Sequence, residues 1–108
     1  MTNQQQERIR MIELKSRQQI EKAIQRAKAE ARNLLVQTTN AVRQYRVTNR
    51  ANGNVYLVNF FIRKDGKRFA HCTCLAGEKG IACKHVAASA ALNLYLAENG
   101  QLKRKAVV

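Results

Sequence analysis

The sequence predicts an α+β fold: a long N-terminal helix, a small antiparallel β-sheet of about three strands, and a C-terminal helix, with a cysteine- and histidine-bearing segment between sheet and helix. Three observations carry this. From Gln5 to about Tyr45 there is neither Gly nor Pro, and Ala, Arg, Lys, Gln, Glu and Leu dominate. After Tyr45 the pattern changes to β-branched and aromatic runs broken by Asn-Gly and Asp-Gly. Finally, all three cysteines and one of the two histidines fall between Cys72 and His85.

The first stretch has the composition of good helix formers. Its apolar residues recur every eleven positions, Ile9, Ile20, Ala31 and Val42, with Ile12, Ala23, Leu34 and Tyr45 three places on. An eleven-residue repeat nearly matches the pitch of a straight helix, so the stripe stays on one face. Forty helical residues span roughly 60 Å, more than a domain of this size covers. Two arrangements are expected to bury the stripe: its C-terminal half packs on the sheet of the same chain, or it pairs with a second helix in a homodimer or with a protein partner. Thr38, Thr39 and Asn40 are weak helix formers and mark the place for a break.

Beyond Tyr45, Arg46 to Arg50 reads as a short strand, Asn52-Gly53-Asn54 as a turn, and Val55 to Arg63 as an apolar, β-branched strand. Lys64-Asp65-Gly66-Lys67 supplies a tight hairpin turn, and Arg68 to Cys72 a third strand. Lys84 to Ala97 is Ala-rich and helical, with Val86, Ala90, Leu94 and Ala97 on one face and Asn99-Gly100 as its stop. The expected organisation is a helical arm over 1–44, a compact domain over 45–98 and a basic tail over 99–108.

Between the third strand and the last helix the order is Cys72-Thr-Cys74, eight residues, then Cys83-Lys-His85. Thiolate sulfur and imidazole nitrogen are the ligands Zn²⁺ prefers, four in a tetrahedron. Two close pairs separated by a loop with Gly77 and Gly80 allow the chain to reverse and close the site. His71 is expected to stay out of it, since in a strand it points away from Cys72. An odd number of cysteines leaves a disulfide framework incomplete, and Met1 to Gln6 do not read as an export signal, so reduced thiols in the cytoplasm are expected, on the nucleoid if the chain is bacterial.

The pattern C-x-C, spacer, C-x-H resembles the SWIM zinc-finger family, and the resemblance extends from about Tyr45 to Leu96 through Asn54-Val-Tyr-Leu-Val and Cys83-Lys-His85-Val-Ala-Ala. It implies a small sheet followed by a helix with one structural zinc ion pinned between them, held by Cys72, Cys74, Cys83 and His85, and a DNA-binding or protein-binding role. Four protein ligands fill the coordination sphere, whereas catalytic zinc keeps one position open. The chain shows no P-loop, H-E-x-x-H or paired carboxylates. A non-enzymatic role is therefore expected.

Twenty Lys and Arg against seven Asp and Glu give a formal charge of +13. A field of that sign favours polyanions, nucleic acid first and DNA among them. The candidate contacts are Arg43, Arg46, Arg50, Arg63, Lys64, Lys67, Arg68, Lys79 and Lys84 around the finger, with Lys103, Arg104 and Lys105 in the tail, and only Asp65 and Glu78 oppose between Arg43 and Lys84. The alternative is an interaction adaptor or accessory subunit that uses the N-terminal helix and the finger as a platform. Membrane attachment is not expected, because the Ala-rich stripe of the basic helix lacks Trp and Phe anchors.

Overall fold

Residues between Gln44 and Cys72 alternate in exposure along each strand, Tyr45, Val47, Val58, Ala70 and Cys72 turning inward, and this alternation builds the sheet. The computed structural model describes residues 11–102. Five strands, β1 (Ile12–Glu13), β2 (Leu34–Thr38), β3 (Gln44–Asn49), β4 (Val55–Ile62) and β5 (Arg68–Cys72), lie in the order β1-β5-β4-β3-β2, every neighbouring pair antiparallel. Three helices accompany them: α1 (Glu21–Ala29), the single turn α2 (Leu75–Glu78) and α3 (Lys84–Glu98).

The expected long N-terminal helix is not formed. Its helical part is the nine residues of α1, flanked by 3-10 turns at Gln18–Ile20 and Ala31–Asn33. The sheet consequently has five strands rather than three, because Leu34–Thr38 and Ile12–Glu13 join it at either edge. β2 pairs with β3 from Leu34↔Asn49 to Thr38↔Tyr45. Intrinsic helix preference separates ordinary residues by only tenths of a kcal/mol, so a ladder laid on an apolar layer outweighs it. Ala23, Ile24 and Ala27 lie on the less exposed side of α1, which packs on α3. Ile9 and the expected helix start at Gln5 lie outside the described residues.

Short-range polar contacts make the connections. In the β2–β3 turn the Ala41 N–H donates to Thr39 Oγ1, and Arg43 adopts a left-handed φ of 60°. Asn49 Oδ1 accepts from the Ala51 N–H ahead of β4. The hairpin after β4 closes with Arg63 N–H on Lys67 O and a φ of 90° at Gly66, as the Asp-Gly pair predicts.

α3 covers the inner sheet face. Val47, Val58, Ala70, Cys72 and Val86 are fully buried there. The expected apolar stripe on α3 is off in phase: Leu94 is 59% exposed and Ala97 is exposed, while Val86, Ser89, Asn93 and Leu96 lie on the protected side. Asn93 faces inward because its Oδ1 accepts from the Tyr45 hydroxyl at 2.6 Å, and burial pushes the Tyr45 phenol above its ordinary pKa. The other sheet face carries no helix among the described residues, and none of its side chains is buried.

Tyr45→Phe should cost about 1–2 kcal/mol, by leaving Asn93 without its donor in a partly buried site. Denaturant unfolding of the two proteins measures the difference; equal stabilities would mean that this contact does not hold α3 to the sheet.

Candidate metal centre

β5 ends at Cys72, and the chain then leaves the sheet in extended conformation through Cys74, whose ψ is 170°. Cys74 caps α2: its Sγ accepts from the Gly77 N–H at 3.3 Å. After α2 the chain reverses at Gly80, where φ is 78°, and reaches Cys83, the residue before the first turn of α3. His85 lies in that turn. Strand end, loop and helix start thus each deliver ligands to one place.

The four side chains are buried, and their ligand atoms all lie within 4.8 Å of one another. Cys72 Sγ stands 3.8 Å from His85 Nδ1. Sulfur and nitrogen ligands at their usual distances from tetrahedral Zn²⁺ are roughly 3.5–3.8 Å apart, so the spacing fits the ion with small side-chain rotations. The protein offers the imidazole nothing else: His85 Nε2 is buried with no hydrogen-bond partner among the described residues. The Tyr56 ring tilts against the imidazole at 4.3 Å between centroids and restricts its rotation. No disulfide forms; all three thiols are free. The four residues fit one structural zinc ion and are the ones that would hold it.

Crowding of the donors sets their acidity. The Cys83 thiol is held down at about 4, first by the hydrogen bond from Cys72 and also by His85. Cys72 is pushed far up by the same bond and by burial, and burial raises Cys74. Near neutral pH the metal-free cluster therefore carries its negative charge chiefly at Cys83, with the other two sulfurs protonated.

Gly77 has a role beyond easing a reversal. A Cβ built on it would sit 2.2 Å from the Cys72 carbonyl oxygen and 2.7 Å from the Cys72 Cβ. The loop between the ligand pairs is thus pressed directly on the strand end, and only glycine permits that approach. The C-x-C-x8-C-x-H spacing carries no sign of this contact, nor of Tyr56 behind His85. The latter is accessible through the β4–β5 register, in which Val58 opposes Cys72 and puts Tyr56 just past the strand end. His71, one place before Cys72, opposes Asn59 and is outside the cluster.

The candidate nucleic-acid contacts are spread along the sheet rather than gathered at the metal. Arg63, Lys64, Lys67 and Arg68 belong to the hairpin at the end of β4 and β5 remote from Cys72, roughly 13 Å along the strands at the usual rise. Arg43 joins them through its carbonyl, which accepts from the Phe60 N–H. Arg50 and Lys79 are exposed toward the metal end, and Arg46 is exposed on the helix-free face in mid-sheet. Lys84 is different: its Nζ lies 2.6 Å from Glu30 Oε1, tying the start of α3 to the end of α1. Lys103, Arg104 and Lys105 lie outside the described residues.

Among known families, residues 45–92 match the family model described as SWIM zinc finger. No curated protein and no solved structure matches the chain.

Two outcomes are expected of this centre. Gly77→Ala should cost about 3 kcal/mol or more, because the new methyl meets backbone that cannot retreat, whereas Gly80→Ala should cost about 1–2 kcal/mol for its left-handed φ alone. Unfolding of the zinc-loaded variants, with zinc content by mass spectrometry, compares them. Zinc uptake should release about two protons per ion near neutral pH, from Cys72 and Cys74, whose pKa values are raised, while Cys83 enters as thiolate. Apparent affinity then climbs roughly a hundredfold per pH unit and collapses on acidification. Competition against a chromophoric chelator between about pH 6.5 and 8 tests this; a flat profile would contradict a thiolate donor set.

Proposed function

With residues 45–92 standing as a SWIM zinc finger, we propose that the chain is a zinc-stabilised nucleic-acid-binding module, DNA being the favoured ligand, in which the metal is structural and the basic sheet makes the contacts. One observation carries the reading. Arg46, Arg50, Arg63, Lys64, Lys67, Arg68 and Lys79 are exposed, and the ion pairs among the described residues are Arg17–Glu21 and Lys84–Glu30, so among the described residues none of those seven is tied up in an ion pair. Cationic side chains held on a rigid sheet gain affinity for phosphates by releasing condensed counterions. A formal charge of +13 on 108 residues supports the same polarity at long range.

In this reading zinc contributes folding free energy. Donors scattered in the unfolded chain bind it poorly and the folded cluster binds it well, so metal affinity becomes stability for a domain with a thin apolar core. The module is non-catalytic, and its contacts position the backbone of the ligand rather than read sequence.

The interaction-adaptor reading depends on a long helix with an unpartnered stripe. The helix that forms is nine residues, and its less exposed side meets α3. What still favours a protein partner, or a second copy of the chain, is a pair of apolar residues open on α3, Leu94 at 59% and Tyr95 at 58% exposure.

Replacing Arg63, Lys64, Lys67 and Arg68 together by Glu should lower affinity for DNA at least tenfold and flatten its salt dependence, by up to about 0.9 in log–log slope for each duplex phosphate no longer engaged. Zinc content and melting should be unchanged, since these residues are exposed. Fluorescence anisotropy at several salt concentrations measures it. Unaltered affinity in the quadruple variant would remove the hairpin from the contact surface; absence of binding at low salt would refute the reading itself.

A further inference from the structure

The sheet has two unlike faces. One is sealed by α3. On the other, Phe61 and Phe69 stand directly opposite each other on β4 and β5, and Phe61 is 40% exposed. The Arg63 guanidinium lies over the Phe69 ring, 5.4 Å from its centroid. Asn59 and His71, the adjacent cross-strand pair on the same face, are half-buried and offer amide and imidazole edges. Arg46 is exposed on this face too, opposite Leu57. Among the described residues the one acidic side chain in register here is Glu13, directly opposite Phe69 on the edge strand β1.

An aromatic pair set among arginines, and separated from the exposed Val55 and Leu57 by the Asn59–His71 row, has a specific complement. A lipid surface or a greasy helix would want a continuous apolar patch without Asn59 and His71 at its centre. A nucleic-acid duplex offers phosphates to the arginines but keeps its bases stacked on each other, so the aromatic rings gain nothing from it. An unpaired strand satisfies both parts: its bases have free π-faces to lay on the rings, and its phosphates reach the guanidinium groups. We infer that the helix-free face of the sheet is a platform for single-stranded nucleic acid, with a base stacked on Phe61 beside the Arg63-covered Phe69 ring and phosphates held by Arg46 and Arg63.

This rests on the nucleic-acid reading above and narrows it to unpaired strands and to one face. Sequence preference is weak, because every base has a stacking face and Asn59 and His71 offer few hydrogen bonds for discrimination. Loss of one stacked base weakens such complexes about 5- to 150-fold.

The test uses the whole zinc-loaded chain. It contains no tryptophan, so Phe61→Trp introduces a lone indole reporter. Oligo(dT) and oligo(U) of about 12 nucleotides and a duplex of equal length are titrated at low salt. Single strands of either sugar should quench the indole and bind wild type more tightly than the duplex does. Phe61→Ala should weaken single-strand binding about tenfold or more, leaving duplex affinity, zinc content and melting as they were, and Phe61→Tyr should restore it. Duplex binding equal to or tighter than single-strand binding, with Phe61→Ala silent, overturns this inference and leaves the broader reading standing. No binding of any nucleic acid overturns both. If Phe61→Ala instead converts a dimer to a monomer in solution, a second copy covers the face and the platform is refuted.

Discussion

The contact of Gly77 with the end of β5 is the constraint from which the rest of the site follows. Cys72 and Cys74 are two residues apart on an outgoing chain, and Cys83 and His85 begin a helix that runs back over the sheet. They meet only if the intervening loop lies flat on the Cys72 carbonyl, and there a single methyl group has no room. Once the loop is pressed down, Cys74 Sγ takes the Gly77 N–H, Cys83 arrives beside Cys72, and α3 starts at a height that drops Val86 into the core beneath it. Burial of four ligating groups costs free energy, which a bound zinc ion offsets. The same geometry fixes how α3 lies on the sheet, and so where Asn93 finds Tyr45.

The zinc ligands were legible because chemistry restricts them to few residue types at short spacings. The three central strands and the Asp65-Gly66 hairpin were legible because turn residues and β-branched runs act locally. The N-terminal third was not. Ala23 is helical in pattern and in structure, but the same repeat continues to Leu34, where Leu34 to Thr38 are equally compatible with a strand. What decides that segment is its partner strand β3, beyond the turn, and no local propensity encodes the pairing. The phase error on α3 has a related origin. Ala-rich helices have little polarity contrast around their circumference, and a buried Ser89 and an inward-facing Asn93 invert the usual rule that apolar residues turn to the core.

Charge and apolar exposure divide between the two faces of one sheet. The covered face holds Val47, Val58, Ala70 and Cys72, all shut off from solvent. The other keeps Phe61, Leu57 and Val55 at least one-third exposed, in a chain with a large cationic excess. Partial exposure of single apolar residues is ordinary for proteins; a cross-strand phenylalanine pair among arginines on one open face is less so, with Arg63 lying over the Phe69 ring and Phe61 open beside it.

The strand order has a consequence for where this domain begins. β3, β4 and β5, which lead into the metal-ligand segment, are all interior strands, since β1 and β2 flank them on either side. Both flanking strands come from sequence that precedes Tyr45 and carries no ligand. An excised fragment limited to residues 45–92 would uncover two ladders of unpaired amides and carbonyls, along β3 and along β5, inviting edge-to-edge polymerisation. The smallest autonomous unit is therefore larger than the metal-binding motif, and its upstream chain serves as selvedge, finishing the cloth so that it does not unravel or stitch itself to its neighbour.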